Sequence, residues 1–173
     1  RIAENDYEHE GVISIHNDLF HALDLAGQHE KFEKERIAWI KVITKKIGDK
    51  NPYYASQVVT LAYCQIRLKK YKEAEATLND VFPLLKKILA DGWGYFHAKA
   101  LMGEILIQQG KENEGEALLI EGYEGMKKRQ IQMAPVSKVR LIEACDRLIE
   151  LYTKAEKPNE VKKYLTEKAL YKE

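Results

Sequence analysis

The sequence predicts an all-α protein, an α-solenoid of about four antiparallel helix pairs. Three observations carry this. Apolar residues recur at three- and four-residue steps, strand-like alternation is absent, and turn signals return at a nearly constant interval. Leu19, Leu23 and Ala26 share one stripe, and Val58, Leu61, Ala62, Gln65 and Leu68 make a second. Ala74, Leu78, Val81 and Leu85 form a third, and Leu148, Leu151, Tyr152 and Ala155 a fourth. Such spacing puts each set on one face of a helix.

The punctuation gives the order of the elements. Short turns read as GQHEK (27–31), LKKYK (68–72), QGKEN (109–113) and AEKPN (155–159), and longer breaks as GDKNP (48–52), ADGWG (90–94) and QMAPVS (132–137). The chain therefore runs helix A, short turn, helix B, longer break, four times over, with repeats at about 14–50, 53–92, 94–133 and 137–171. Measured at Glu30, Lys69, Gly110 and Glu156 the steps are 39, 41 and 46 residues. A helix pair repeated at this period buries its apolar face only by stacking on its neighbours. The whole of 1–173 reads as one such domain. Because it starts at Arg1, it reads as a fragment of a longer protein.

Five glycines between 103 and 125 need a reason, since Gly costs about 1 kcal/mol relative to Ala inside a helix. In the second pair, helix A carries Leu61-Ala62 and helix B carries Ala74 and Leu78; in the third the matching residues are Met102-Gly103, Gly115 and Leu119. Small residues thus recur where the two helices must approach, and Gly122 extends that face. Gly110 reads as a helix-ending residue. Gly125 has no place in this scheme. Leu at position 103 is expected to overpack the A/B contact, whereas Ala is expected to be mild if a methyl group fits.

These residues resemble the tetratricopeptide repeat, with its large-small pair in helix A and small-x-x-x-large pair in helix B. The second pair (Leu61-Ala62, Tyr71, Ala74, Leu78) matches well, and the third departs only at Glu112. The first keeps Phe32 and Trp39 but has Glu35 at a small position. The fourth (Leu148-Ile149, Pro158, Val161, Leu165) fills both small positions with larger residues, as suits a cap. Units of about forty residues look like the kinesin-light-chain type. In addition, residues 118–164, LLIEGYEGMKKRQIQMAPVSKVRLIEACDRLIELYTKAEKPNEVKKY, are similar to the C-terminal end of repeat arrays attached to bacterial serine/threonine protein kinases. The resemblance implies a right-handed superhelix, a protein- or peptide-binding role, and a kinase domain upstream of this chain.

Composition narrows the function further. The 45% hydrophobic content supports a folded core, and 28 basic against 27 acidic residues give no overall drive toward nucleic acid or a membrane. Residues 4–35 are mostly acidic, while Lys127, Lys128, Arg129, Lys138 and Arg140 form a basic stretch, the alternative working surface. Cys64 and Cys145 stand apart from any CxxC or Cys/His cluster and read as reduced core residues of a cytoplasmic protein. No apolar run approaches membrane-spanning length.

Catalytic motifs are not apparent. Gly110-Lys111 lacks the first glycine at the required spacing, the Ser/Thr and the preceding strand of a phosphate loop. The five histidines lack metal-ligand spacing, so no metal or cofactor is expected, and the fragment is not expected to be an enzyme. Pro83 inside a helical run predicts a kink near Phe82, and Trp93 reads as a plug between repeats.

Side chains of A helices that avoid their neighbours should face a groove. Those positions are Asn17, Phe20 and Asp24; Ser56, Val59, Tyr63 and Arg67; His97, Ala100, Glu104 and Gln108; and Glu143, Asp146, Glu150 and Lys154. The partner-binding set is Asn17, Phe20, Tyr63, Arg67, His97, Glu104, Gln108, Glu143, Asp146 and Glu150, with a peptide or protein as ligand. The carboxylates at 104, 143, 146 and 150 suggest that this end of the groove takes a basic segment. A peptide-sensing regulator coupled to a DNA-binding output domain is the alternative function.

Overall fold

The computed structural model describes residues 10–171, with side chains described from 15 onward. These residues form eight α-helices and two 3-10 turns, with no strand among them: α1 (Glu10–Leu25), α2 (His29–Ile47), α3 (Pro52–Arg67), α4 (Tyr71–Leu89), α5 (Trp93–Gln108), α6 (Glu112–Lys128), the 3-10 turns Gln130–Gln132 and Pro135–Lys138, α7 (Val139–Lys154) and α8 (Pro158–Ala169). The odd-numbered helices are the A helices and the even-numbered the B helices. The chain divides into two compact units, residues 1–84 and 85–173.

The four A-to-B turns share one backbone design. Gly27, Lys69, Gly110 and Glu156 all adopt positive φ, at +66°, +59°, +83° and +53°. In each turn the N–H of the next residue donates to a carbonyl five residues back: Gln28 to Leu23, Lys70 to Gln65, Lys111 to Leu106 and Lys157 to Tyr152, all at 2.8–2.9 Å. This is the Schellman pattern, which closes the orphan carbonyls of a helix end. It also sets the repeat register. The first pair's turn hinges at Gly27 rather than near Glu30. Phe20 therefore takes the small position of helix A, and Phe32 and Arg36 take the small and large positions of helix B, in place of Glu35 and Trp39.

In the first pair, aromatic rings fill the space that small residues leave closed in the second and third pairs. Phe20 and Phe32 face each other with ring centroids 5.4 Å apart, and the Arg36 guanidinium lies 3.5 Å from the Phe20 centroid. Farther along the pair, His16 stacks on Trp39 at 3.7 Å, so α1 and α2 run antiparallel. Between the pairs, Asn51 closes the break: its side chain accepts from Tyr54 N at 2.9 Å and donates to Gly48 O at 3.0 Å, with Pro52 at the first helical position. α4 runs unbroken through Pro83. Pro83 and Asn79, whose carbonyl loses its helical partner, lie outside the buried core, where water can serve that carbonyl.

Unit 2 is built on the glycines. A Cβ on Gly103 would stand 2.6 Å from Leu119 N and 2.7 Å from Gly115 O; one on Gly115 would stand 2.6 Å from Gly103 O; one on Gly122 would meet Phe96 O at 2.6 Å. Contacts descend α5 as they ascend α6, so the helices are antiparallel, backbone against backbone. A methyl group does not fit at 103, so the condition under which Ala was expected to be mild is not met. Gly125 joins the same surface, because its added Cβ would run into the Phe96 ring. Beyond this pair, Leu119, Tyr123 and Met126 of α6 share a core with Leu141, Ala144, Cys145 and Leu148 of α7 and with Tyr164 of α8. Trp93 packs against that core, as a plug would.

Candidate functional site: the A-helix faces

Counting back from the left-handed residue, the positions that the sequence pattern assigns to the groove in α3, α5 and α7 lie thirteen, ten, six and two residues before it, and of these Val59, Tyr63, His97 and Ala100 are buried. In α3 these are Ser56, Val59, Tyr63 and Arg67, in α5 His97, Ala100, Glu104 and Gln108, and in α7 Glu143, Asp146, Glu150 and Lys154. In α1 the register keeps Asn17, which is exposed, but gives His21 and Leu25, both exposed, the places that the sequence pattern assigned to Phe20 and Asp24.

In unit 1, Phe20 is 2% exposed and belongs to the core. Tyr63 is 3% exposed, and its hydroxyl donates to Asp24 Oδ2 at 3.3 Å, joining α3 to α1. Arg67 is exposed at the end of α3. Cys64, behind this face, has its thiol pushed up to about 12 by burial, so it stays protonated and is no nucleophile at neutral pH.

In unit 2, α5 and α7 flank a cleft of about 190 Å³ lined by Glu104, Ile107, Gln108, Glu112, Arg147, Glu150, Leu151, Lys154 and Ala155. Its centre is a bond from Arg147 Nε to Glu104 Oε2, both side chains largely buried. The other carboxylates of this face also have cations from their own chain. Arg140 Nη1 donates to both oxygens of Glu143 at 2.8 Å, Lys154 pairs with Glu150 at 2.7 Å, and Lys168 of α8 pairs with Asp146. Arg147 Nη1 and His97 Nε2 are buried without a hydrogen-bond partner. His97 is 7% exposed and its imidazole is held well below its usual range, first by burial and then by the charges of Arg140 and Arg147. The structure thus brings Glu104, Gln108 and Glu150 to one cleft, with His97 and Glu143 farther along the same helices. Arg147 escaped the sequence pattern because it lies one position short of Leu148, outside the outward series.

The basic stretch is largely engaged with the fold. Lys127 Nζ donates to Glu167 at 2.7 Å, and Arg129 donates to Asp91 O at 2.8 Å and to Gly125 O at 3.1 Å while stacking over Phe96 at 4.3 Å. Lys128 and Lys138 lie outside the buried core. Among the described residues no group of three or more His, Cys, Asp or Glu side chains could hold a metal ion, and no helix is long and apolar enough to cross a membrane.

No protein-family model matches this chain, and no curated protein matches it. A solved structure does: the crystal structure of BtubC (BKLC) from P. vanneervenii, with TM-score 0.64 at 15% identity. The chain folds like BtubC. The match covers 91% of this chain and 62% of the BtubC chain, so the chain spans under two thirds of that protein's length. At this identity the likeness is one of fold, and it places the chain among all-α helical-repeat solenoids, in keeping with the tetratricopeptide resemblance.

Proposed function

We propose that this chain is a protein-interaction module that binds a peptide or partner protein on the faces of its A helices. The observation that carries the reading is the cleft between α5 and α7. Two successive A helices contribute Glu104, Gln108, Glu150 and Lys154 to its lining beside the apolar Ile107, Leu151 and Ala155, a surface suited to an extended or helical peptide. The BtubC-like fold supports a scaffolding role in place of a catalytic one. Within this reading, the resemblance of residues 118–164 to the tails of bacterial serine/threonine kinases makes the module the C-terminal regulatory part of a cytoplasmic signalling kinase, recruiting its partners or substrates.

A photo-crosslinking residue placed at Gln108, compared with one at Lys128, tests the reading in native lysate. A discrete partner captured from Gln108 and competed by the unlabelled chain is the expected result. Equal capture from both positions, or capture from Lys128 alone, overturns it.

A further inference from the structure

One face of the A helices is covered in every pair but the first. The residue twelve places before the left-handed position is Gln57 in α3, Ala98 in α5 and Ala144 in α7, and all three are buried. Eight places before it, Met102 of α5 and Leu148 of α7 are buried as well. In α3 this face meets the preceding B helix: Arg36 of α2 donates to Gln57, and the Cys64 thiol donates to His29 O at 3.1 Å. In α7, Ala144 and Leu148 share a core with Leu119 and Tyr123 of α6. The same two positions in α1 hold Ile15 and Leu19, and these are 57% and 38% exposed.

The B helices show the converse. Nine places after the left-handed residue stand Arg36 in α2, Leu78 in α4 and Leu119 in α6, all buried. In α8 that place belongs to Leu165, which is 52% exposed. Leu165, Val161 and Pro158 line an open cleft of about 580 Å³ where α8 follows α7. So α1 presents an apolar A-type face, and α8 an apolar B-type face.

We propose that these two faces bind each other between copies of this chain, α8 of one copy stacking on α1 of another. A second copy covers both faces at once, with an interface that the chain already makes where α2 meets α3 and α6 meets α7. The register follows from those contacts. Leu165 meets Ile15 as Arg36 meets Gln57, and Pro158 comes to Ala22 as His29 comes to Cys64. Apolar pairs thus stand where the internal seam has polar ones, and their burial supplies the drive. The two patches differ, so the contact is heterologous. Neither face shares a residue with the α5–α7 cleft, so this association stands or falls apart from the interaction reading above.

Sedimentation equilibrium of the full chain, from micromolar to millimolar concentration, tests the proposal. The average mass of the wild-type chain should rise above that of the monomer. Leu19→Asp blocks the α1 face and Leu165→Asp the α8 face; each variant alone should stay monomeric, while an equimolar mixture should form dimers through the two intact faces. The double variant should stay monomeric alone. Ile15→Gln and Leu165→Gln, milder changes that serve if an Asp variant fails to fold, should each weaken association roughly tenfold. A wild-type chain that is monomeric throughout overturns the proposal and leaves the α1 face to a helix of another protein. Association that only one of the two faces controls reveals a like-with-like contact and overturns it equally, as does a mixture that stays monomeric.

Discussion

Gly103 and Gly115 touch backbone to backbone: a Cβ on either would lie within 2.7 Å of the other's carbonyl oxygen. Backbone cannot step aside as a flexible side chain can. Gly103→Ala is therefore expected to destabilise unit 2 by about 1–3 kcal/mol through overpacking, despite the gain of up to about 1 kcal/mol in helix propensity. Gly103→Leu should cost more. Urea unfolding of the two variants checks this, and an unchanged midpoint for Ala would show that α6 can move away freely.

The turn residues Lys69 and Glu156 hold a left-handed conformation that costs a side-chain-bearing residue roughly 1–2 kcal/mol. Replacing either with Gly removes that strain but loosens the unfolded chain by about 0.4–1 kcal/mol. Lys69→Gly and Glu156→Gly should each stabilise by about 0.5 kcal/mol, and Gly110→Ala should destabilise by about 1 kcal/mol. Thermal unfolding of the three variants tests the ordering.

His97 makes stability depend on pH. Its folded value lies well below the ordinary 6.5, so below about pH 6.5 the unfolded chain takes up a proton that the folded chain refuses. Stability is complete above that pH and falls as the pH drops toward the folded value. His97→Phe should flatten this part of the stability profile, measured as urea midpoint against pH. A slope that survives the substitution would assign the effect elsewhere.

Glu167 acts at lower pH. Burial pushes its carboxyl up, but hydrogen bonds from Lys127 and Tyr123 outweigh that and leave it below 4.5. Its contribution is present above the unfolded value and is lost as pH falls through the folded one. Amide protection in α8, taken relative to the intrinsic exchange rate, should fall in acid below about pH 4.5, and Glu167→Gln should weaken α8 at neutral pH while removing the acid step.

The helices, the short turns and the small-residue contact were legible because each is written in local spacing. Three of the four hinge positions, Lys69, Gly110 and Glu156, were fixed by that spacing. The first pair was misregistered because Phe20 and Phe32 occupy positions where the second and third pairs suggested small residues, and Phe32 then resembles the aromatic that precedes helix B. Arg36 looked like surface charge; its burial needs the Phe20 ring and the Gln57 amide, 21 residues away and on another helix. Gly125 could be explained only once Phe96 was known to lie against it. On the candidate site, the carboxylates of α5 and α7 were placed correctly on their helices. Their cations were not, since Arg147 reaches Glu104 across 43 residues of sequence, and pairing at that separation leaves no periodic trace.

The four turns are joints made only of main chain. Their defining bonds run from N–H to carbonyl, and their hinge residues include glycine, lysine and glutamate. Nothing in such a joint has to be redesigned when the helices on either side change, which is why the first pair can be filled by phenylalanines and the third by glycines. Duplication, deletion or exchange of a whole pair would preserve the connection at its centre. The chain can therefore diversify its faces by swapping cassettes, leaving selection to act on the seams between one cassette and the next.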